Sequence, residues 1–240
     1  MISIVLPAFN EQKYIKRCLD SLKHQKTKRI FEIVVVDNNS SDKTAEIVTL
    51  YLKKLPLRLV HESSQGIDAA RTRGFDEARG DIIARIDADC IAPEDWIEKI
   101  GANFDNKIDG LCGNFNYYDA PWIITTIMKF FHFISMRTLL GHEVMLGYNC
   151  ALRKKMWVKI RPLVIKKHVQ MHEDILLGTY IHKNGILHLD MNLVMNTSIR
   201  RLYKNFYSFT IVYPMMCLKN ILFARFYDYY LRKNLFDLAE

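Results

Sequence analysis

Through residue 113, short apolar runs alternate with longer stretches in which apolar positions return at helical spacing. The runs predict strands at Ile2–Leu6, Glu32–Val36, Arg58–Val60, Ile82–Ile86 and Gly110–Gly113. Between them, amphipathic helices are predicted over about 11–24, 42–53, 67–79 and 94–104. Val34-Val35-Val36 is β-branched with no alternation, as in a strand covered on both faces. Asp42 can cap the helical stretch that follows it, and Ala92-Pro93-Glu94 puts a proline near a first turn. Regular strand–helix alternation predicts an α/β fold: a parallel-rich sheet with right-handed crossovers, flanked by helices.

Beyond residue 113 the pattern is less regular. Pro121–Leu140 and Phe206–Leu218 are strongly apolar, yet neither makes a comfortable membrane span. The first carries Lys129, His132 and Arg137; the second is 13 uncharged residues broken by Pro214. Thr125, Lys129 and His132 fall at i, i+4, i+7 and draw one polar stripe along an otherwise apolar helix. Such a helix suits a membrane interface and suits packing on the sheet equally well. The C-terminal stretch mixes Tyr203, Phe206, Tyr207, Tyr213, Phe226 and Tyr230 with Lys204, Arg225, Arg232 and Lys233, the composition of an interfacial element or of an oligomer contact. With no Pro/Gly/Ser linker and no repeat, the expected organisation is one unit over 1–198, with a nucleotide half (1–113) and an acceptor half (114–198). A basic, aromatic, amphipathic helical region follows over 199–240.

Composition sharpens this picture in two places. Half of the 240 residues are hydrophobic, enough for a full core, and the formal net charge is +8. That charge is concentrated: seven Lys/Arg and no acid lie between Ala151 and Met171, and seven more against three acids lie from Arg200 onward. The field would attract an anionic partner such as membrane phospholipid, a lipid phosphate or a nucleotide. No helix-turn-helix, zinc or RNA-recognition signature accompanies it, so nucleic acid is not expected. The five cysteines, 18, 90, 112, 150 and 217, have no metal spacing and read as small core residues in a reducing compartment. The N-terminus reads as a first strand and not as a signal peptide, which places the expected protein in the cytoplasm or peripherally on the inner face of a membrane.

The candidate chemistry sits at strand ends. Asp87-Ala88-Asp89 follows the run Ile82–Ile86, so two carboxylates emerge at a strand's carboxyl end, where open α/β sheets bind ligands. Two aspartates one residue apart in extended backbone point the same way. A hard cation such as Mg²⁺ or Mn²⁺, bridged by phosphates, would relieve their repulsion; a solvated acidic turn is the plainer alternative. Three further strand ends would converge there: Pro7-Ala8-Phe9-Asn10-Glu11, Asp37-Asn38-Asn39-Ser40-Ser41-Asp42, and Gln65-Gly66-Ile67-Asp68-Ala69-Ala70-Arg71 at a helix start.

In order and spacing these pieces resemble the family 2 glycosyltransferases with the GT-A fold. Gly147-Tyr148-Asn149-Cys150-Ala151-Leu152-Arg153-Lys154 and His172-Glu173-Asp174 match that family's acceptor-side signatures, so the resemblance spans roughly residues 1–200. It implies an inverting, metal-dependent transfer from a UDP- or GDP-linked sugar to a glycan or lipid-linked acceptor. Asp37, with Asn39 beside it, would contact the base, and Pro7, Phe9 and Glu11 would wall the base and ribose pocket. Gly66 would let backbone approach the diphosphate, and Arg71 would face the diphosphate or sugar. Asp89 would ligate the metal, with Asp87 on the ribose or a metal-bound water. Asn149 would meet sugar or acceptor hydroxyls, and Arg200-Arg201 would clamp the diphosphate. Asp174 would be the base, with Glu173 supporting it. Asn38 departs from the usual acid at its position and removes a charge. The alternatives are a polyprenyl-phosphate sugar synthase, which shares the first half, and a non-catalytic nucleotide-sugar binder. A sugar-phosphate nucleotidylyltransferase would show a glycine-rich loop where this chain has Pro7-Ala8-Phe9-Asn10.

Overall fold

A computed structural model of the protein describes residues 1–164 and 173–200, without the side chains of Ser135, Met136, Leu139 and Glu173. The expected C-terminal helical region from 201 onward, Lys166, Lys167, His172 and Arg201 lie outside the described residues.

The described chain runs β1 (Ile2–Ala8), α1 (Ile15–Lys23), β2 (Phe31–Asp37), α2 (Thr44–Thr49), β3 (Leu57–His61), α3 (Ile67–Glu77), β4 (Ile82–Arg85), α4 (Trp96–Phe104) and β5 (Gly110–Tyr117). It continues through α5 (Trp122–Phe130), a π-helical turn (Phe131–Ser135), α6 (Met136–Leu140), β6 (Cys150–Arg153), α7 (Lys154–Val164), α8 (Glu173–Asn184) and β7 (Leu187–Thr197). The seven strands form one sheet in the order β3-β2-β1-β4-β6-β5-β7. β1, β2, β3 and β4 are mutually parallel; β6 runs antiparallel between β4 and β5, and β7 returns parallel to β5.

The pleat sends alternate residues to opposite faces, and both faces are covered. Ile2, Ile4, Leu6 and Ala8 of β1 and Ile33 and Val35 of β2 pack with Leu19 of α1 and Trp96 and Ile100 of α4. Val5 joins Phe75 of α3, Trp157 of α7 and Leu177 of α8 on the other face. The chain winds from β1 to β2 and β3 on one side and then crosses to β4 on the other. The switch in direction therefore falls between β1 and β4, and ligands bind beside such a switch at the strands' carboxyl ends. At the opposite edge, buried Glu32 accepts hydrogen bonds from Ser3 Oγ (2.6 Å), the Arg79 amide (2.7 Å) and Arg58 Nε (3.2 Å), which ties β1, β2 and the β4 approach together.

The helix after β5 turns its polar stripe to the sheet. Thr125 of the polar stripe is buried, and Lys129 Nζ donates to Asn116 Oδ1 at 2.8 Å, back toward the sheet. Ile123, Ile127, Phe130 and Ile134, at i, i+4, i+7, i+11, are exposed, with Trp122 (76% exposed) and Phe131 beside them. The polar stripe faces inward and the apolar stripe outward. Among the described residues no helix is long and apolar enough to cross a membrane, and the four described cysteines are buried free thiols.

Candidate active site

The loops after β1 and β2 are laced together before they present anything to a ligand. Asn10 and Asn39 both take positive φ (54° and 62°), a region asparagine tolerates better than most residues. Asn10 Oδ1 accepts the Ser41 amide at 2.9 Å, the Glu11 amide donates to Thr44 Oγ1 at 2.8 Å, and the Gln12 amide donates to Asp42 Oδ2 at 3.1 Å. Asp42 Oδ1 also accepts the amide of Thr44, the first residue of α2, at 2.9 Å.

This lacing sets Phe9, 47% exposed, at the end of β1, with buried Pro7 behind it and Asp37 alongside on β2, where Ala8 and Asp37 are register partners. Asp37 is buried. Its Oδ2 lies 3.7 Å from His61 Nδ1, and its Oδ1 has no hydrogen-bond partner. A buried carboxylate oxygen without a donor is costly in the bare protein and would be satisfied by a ligand N–H or hydroxyl. Asn38 turns the other way: its amide donates to the carbonyls of Glu62 (3.0 Å) and Ser64 (2.7 Å), and its Oδ1 accepts the Gly66 amide (2.8 Å). Gly66 sits at φ 138°, where a side chain would be strained, directly before α3. Asn39 is exposed at the turn.

On the other side of the switch, Asp87 and Asp89 are both about 5% exposed. Arg200 reaches in from the end of β7: Nε donates to Asp89 Oδ2 (2.7 Å) and Nη2 to Glu11 Oε1 (2.5 Å), while the guanidinium lies 4.0 Å from the Tyr14 ring. Arg200, expected at the diphosphate, therefore directly contacts both Asp89, expected at the metal, and Glu11, expected on the base and ribose wall. Asp119 fixes that approach. It accepts Ser198 Oγ (2.5 Å) and the Ile199 amide (2.8 Å), and Tyr118 Oη donates to the Asp89 carbonyl (3.1 Å). Sequence reasoning passed over both residues; their only local signal is a polar pair closing β5.

The donor set at Asp87 and Asp89 is hard oxygen. Among the described residues no group of three His, Cys, Asp or Glu is gathered for a metal. Two carboxylates fit an ion that arrives with a diphosphate and takes its remaining ligands from phosphate and water, the usual arrangement for Mg²⁺.

Asp174, in the first turn of α8, is a quarter exposed and stands between two arginines. Arg85 Nη2 donates to its Oδ1 at 2.6 Å, and Arg71 Nη1 lies 3.9 Å from the same oxygen and 4.0 Å from Asp68. Arg85 is fully buried on β4 and also donates Nε to the Gly147 carbonyl. His132, in the π-helical turn, faces this region: burial lowers its pKa to about 4 against the pull of the Asp174 charge. Burial also raises the Tyr148 hydroxyl well above its ordinary value, with Asp87 and Asp174 among the charges it senses. Glu173 opens α8, and its side chain lies outside the described set.

Asn149 corrects one expectation. It is fully buried, and its amide donates to the carbonyls of Asn114 (2.7 Å) and Leu193 (2.6 Å) while Oδ1 accepts Trp96 Nε1 (2.8 Å). These bonds join β6 to β5, β7 and α4, so the side chain braces the site from within and meets no sugar hydroxyl. Arg85 is a further residue that sequence reasoning missed; a charge inside the apolar run Ile82–Ile86, two positions before Asp87, was the available signal.

A parallel core sheet carrying acids at its switch point and a second acidic helix start across from them is the GT-A arrangement of nucleotide-binding transferases. The family model "Glycosyl transferase family 2" matches residues 3–160, and the chain belongs to that family. The glycosyltransferase AglE of Haloferax volcanii is 34% identical over 102 residues, 41% of this chain and 33% of AglE. Among solved structures, S. aureus TarS 1–349 in complex with UDP-GlcNAc superposes with a TM-score of 0.64 at 22% identity, over 80% of this chain and 56% of that one. The mannosyltransferase PcManGT of Pyrobaculum calidifontis, in complex with GDP-Man and Mn²⁺, gives 0.66 at 19% identity, over 82% and 56%. The chain spans less than two thirds of the length of the curated relatives it matches.

Proposed function

We propose that the protein is an inverting, metal-dependent glycosyltransferase that moves a sugar from a UDP- or GDP-linked donor to a glycan or lipid-linked acceptor. The observation that carries this reading is the gathering of acids around one switch point. Asp37, Asp87 and Asp89 stand at the ends of β2 and β4, and Asp174 stands across from them, joined to β4 through Arg85. The relatives' names and the nucleotide sugars in the two superposed structures support it.

In this reading Asp37 takes a base or ribose donor on its buried Oδ1, and Phe9 lies against the base. Arg71 and Arg200 set positive charge around the diphosphate. Arg200 would exchange its bonds to Glu11 and Asp89 for phosphate oxygens. Asp87 and Asp89 would hold Mg²⁺ or Mn²⁺, which when bound supplies charge neutralisation for the diphosphate leaving group. Asp174 accepts the proton of the acceptor hydroxyl as that oxygen bonds to the anomeric carbon. The bond from that carbon to the diphosphate breaks, and its electron pair leaves with the diphosphate. One displacement of this kind inverts the anomeric centre. Glu173 would support Asp174. The unit over 1–198 would carry this chemistry, and the outward apolar stripe of α5 together with the basic region from 199 would bring the protein peripherally onto an anionic membrane.

The test is calorimetric binding of UDP and of GDP, with Mn²⁺ and then with chelator, on wild type and Asp89→Asn. The expected result is metal-dependent binding of one nucleotide, weakened about tenfold or more by the substitution. Absence of binding by both nucleotides would remove the donor site as assigned.

A further inference from the structure

A charged side chain buried without exposure inside a central strand is costly unless its partners compensate it closely. Arg85 is such a residue: fully buried on β4, with neighbours Ile83, Ala84 and Ile86 equally buried. Two of its contacts are specific. Nε donates to the Gly147 carbonyl and Nη2 to Asp174 Oδ1 at 2.6 Å, so the planar fork is held at two points and cannot swing. The backbone is shaped for this pair. A Cβ on Gly147 would lie 1.5 Å from Arg85 Nη2 and 2.6 Å from Asp174 Oδ2, so any side chain there would displace the guanidinium, the carboxylate or both. Arg85 also stands two residues before Asp87, and in extended backbone such residues share a face. One short peptide thus presents the donor-side carboxylates and grips the acceptor-side one, 89 positions away in the chain.

We infer that Arg85 is a positioning residue for the transfer: it fixes Asp174 against the donor strand in the orientation from which that carboxylate takes the acceptor proton. The inference rests on the reading of Asp174 as the base. Arg85 binds one carboxylate oxygen along one direction; a carboxylate has lone pairs in several, so the proton can be taken without breaking the pair. Arg71, at 3.9 Å from the same oxygen, is a weaker and more adjustable contact and leaves the orientation to Arg85.

The test measures turnover and nucleotide binding separately, using hydrolysis of UDP-GlcNAc or GDP-mannose, whichever nucleotide binds, so that water serves as acceptor. Arg85→Lys keeps the charge and loses the fork; Gly147→Ala keeps the arginine and displaces it. Both are expected to lower kcat about a hundredfold, the scale of a misplacement of about an ångström, with the nucleotide Kd within about threefold of wild type. Added to Asp174→Asn, either change is expected to lower turnover no further, because both act through the same carboxylate. Parallel loss of nucleotide affinity and kcat, or a further loss in the Asp174→Asn background, would overturn the inference by placing Arg85 in donor binding or in general stability. Full turnover in Arg85→Lys and Gly147→Ala, with Asp174→Asn inactive, would overturn it alone and leave the base in place. An active Asp174→Asn protein would remove the base, and the positioning role with it.

Discussion

The amide of Asn38 donates to two carbonyls and accepts one backbone N–H, a set that a carboxylate cannot reproduce. The departure from an acid at this position therefore has a local cause: the Glu62–Gly66 loop hangs from this side chain, and Gly66 leads into α3, which carries Arg71. Asn38→Asp would set a buried charge against the Glu62 and Ser64 carbonyls. The expected cost is about 1–3 kcal/mol of stability, seen as a lower melting temperature, with weaker nucleotide binding because Gly66 and α3 shift. Unchanged melting and binding would show that the loop is held by other contacts. At this scale the acids were readable and their partners were not. Asp37, Asp87 and Asp89 could be located because each follows an apolar run that ends in a turn. Asn149 is placed at the ligand by its resemblance to a family signature alone; its partners Asn114, Leu193 and Trp96 lie 35, 44 and 53 positions away, and no local pattern carries such contacts.

Among the elements, β1 and β2 were legible because strands buried on both faces leave continuous apolar runs, while β3, at the sheet edge and only partly buried, showed as a short run between helical stretches. β6 is four residues long and follows the turn that holds Gly147, too short for any periodicity to show. β7 carries the alternation Leu187-His188-Leu189-Asp190-Met191, but a register shift against β5 between Cys112 and Asn114 breaks its pairing, and its first half is only partly buried. The π-helical turn is a different case, since nothing in local composition requires the wider winding. It places His132 against Phe115 (6.1 Å between rings) and Phe133 (5.1 Å), in the direction of Asp174. Turns of this kind occur often at functional sites. Its histidine binds a proton only near pH 4 in the fold and near pH 6.5 when unfolded. Between these values the unfolded chain holds more protons. Its contribution is thus present above about pH 6.5 and is lost as pH falls toward 4, up to about 3 kcal/mol. His132→Phe, which suits the aromatic neighbours, should flatten that part of the melting-temperature profile. A slope identical to wild type would assign the acid sensitivity to other groups.

For the whole molecule, the question is what covers the face that α5 and the π-helical turn present. Trp122, Ile123, Ile127, Phe130, Phe131 and Ile134 form an exposed apolar stripe, while Thr125 and Lys129 of the same segment are turned to the sheet. Packing alone would have chosen the reverse, because burying the apolar stripe is worth about 25 cal/mol for each Å² removed from water. In the proposed reading this stripe meets a second apolar phase. In the proposed reading that phase is an anionic bilayer, where the formal charge of +8 would add attraction to headgroups to apolar insertion. Two effects should then separate in a flotation or tryptophan-fluorescence titration. Vesicles containing phosphatidylglycerol should bind the protein more tightly than pure phosphatidylcholine, and added salt should remove most of the difference. Phe130→Ser with Phe131→Ser should weaken partitioning about tenfold or more at every salt concentration, because it deletes the apolar component and leaves the charge unchanged. Salt-sensitive binding that ignores the double substitution would assign the contact to the basic surface alone. In that case the stripe would be a seat for protein, and the acceptor would have to reach Asp174 without a bilayer alongside α5.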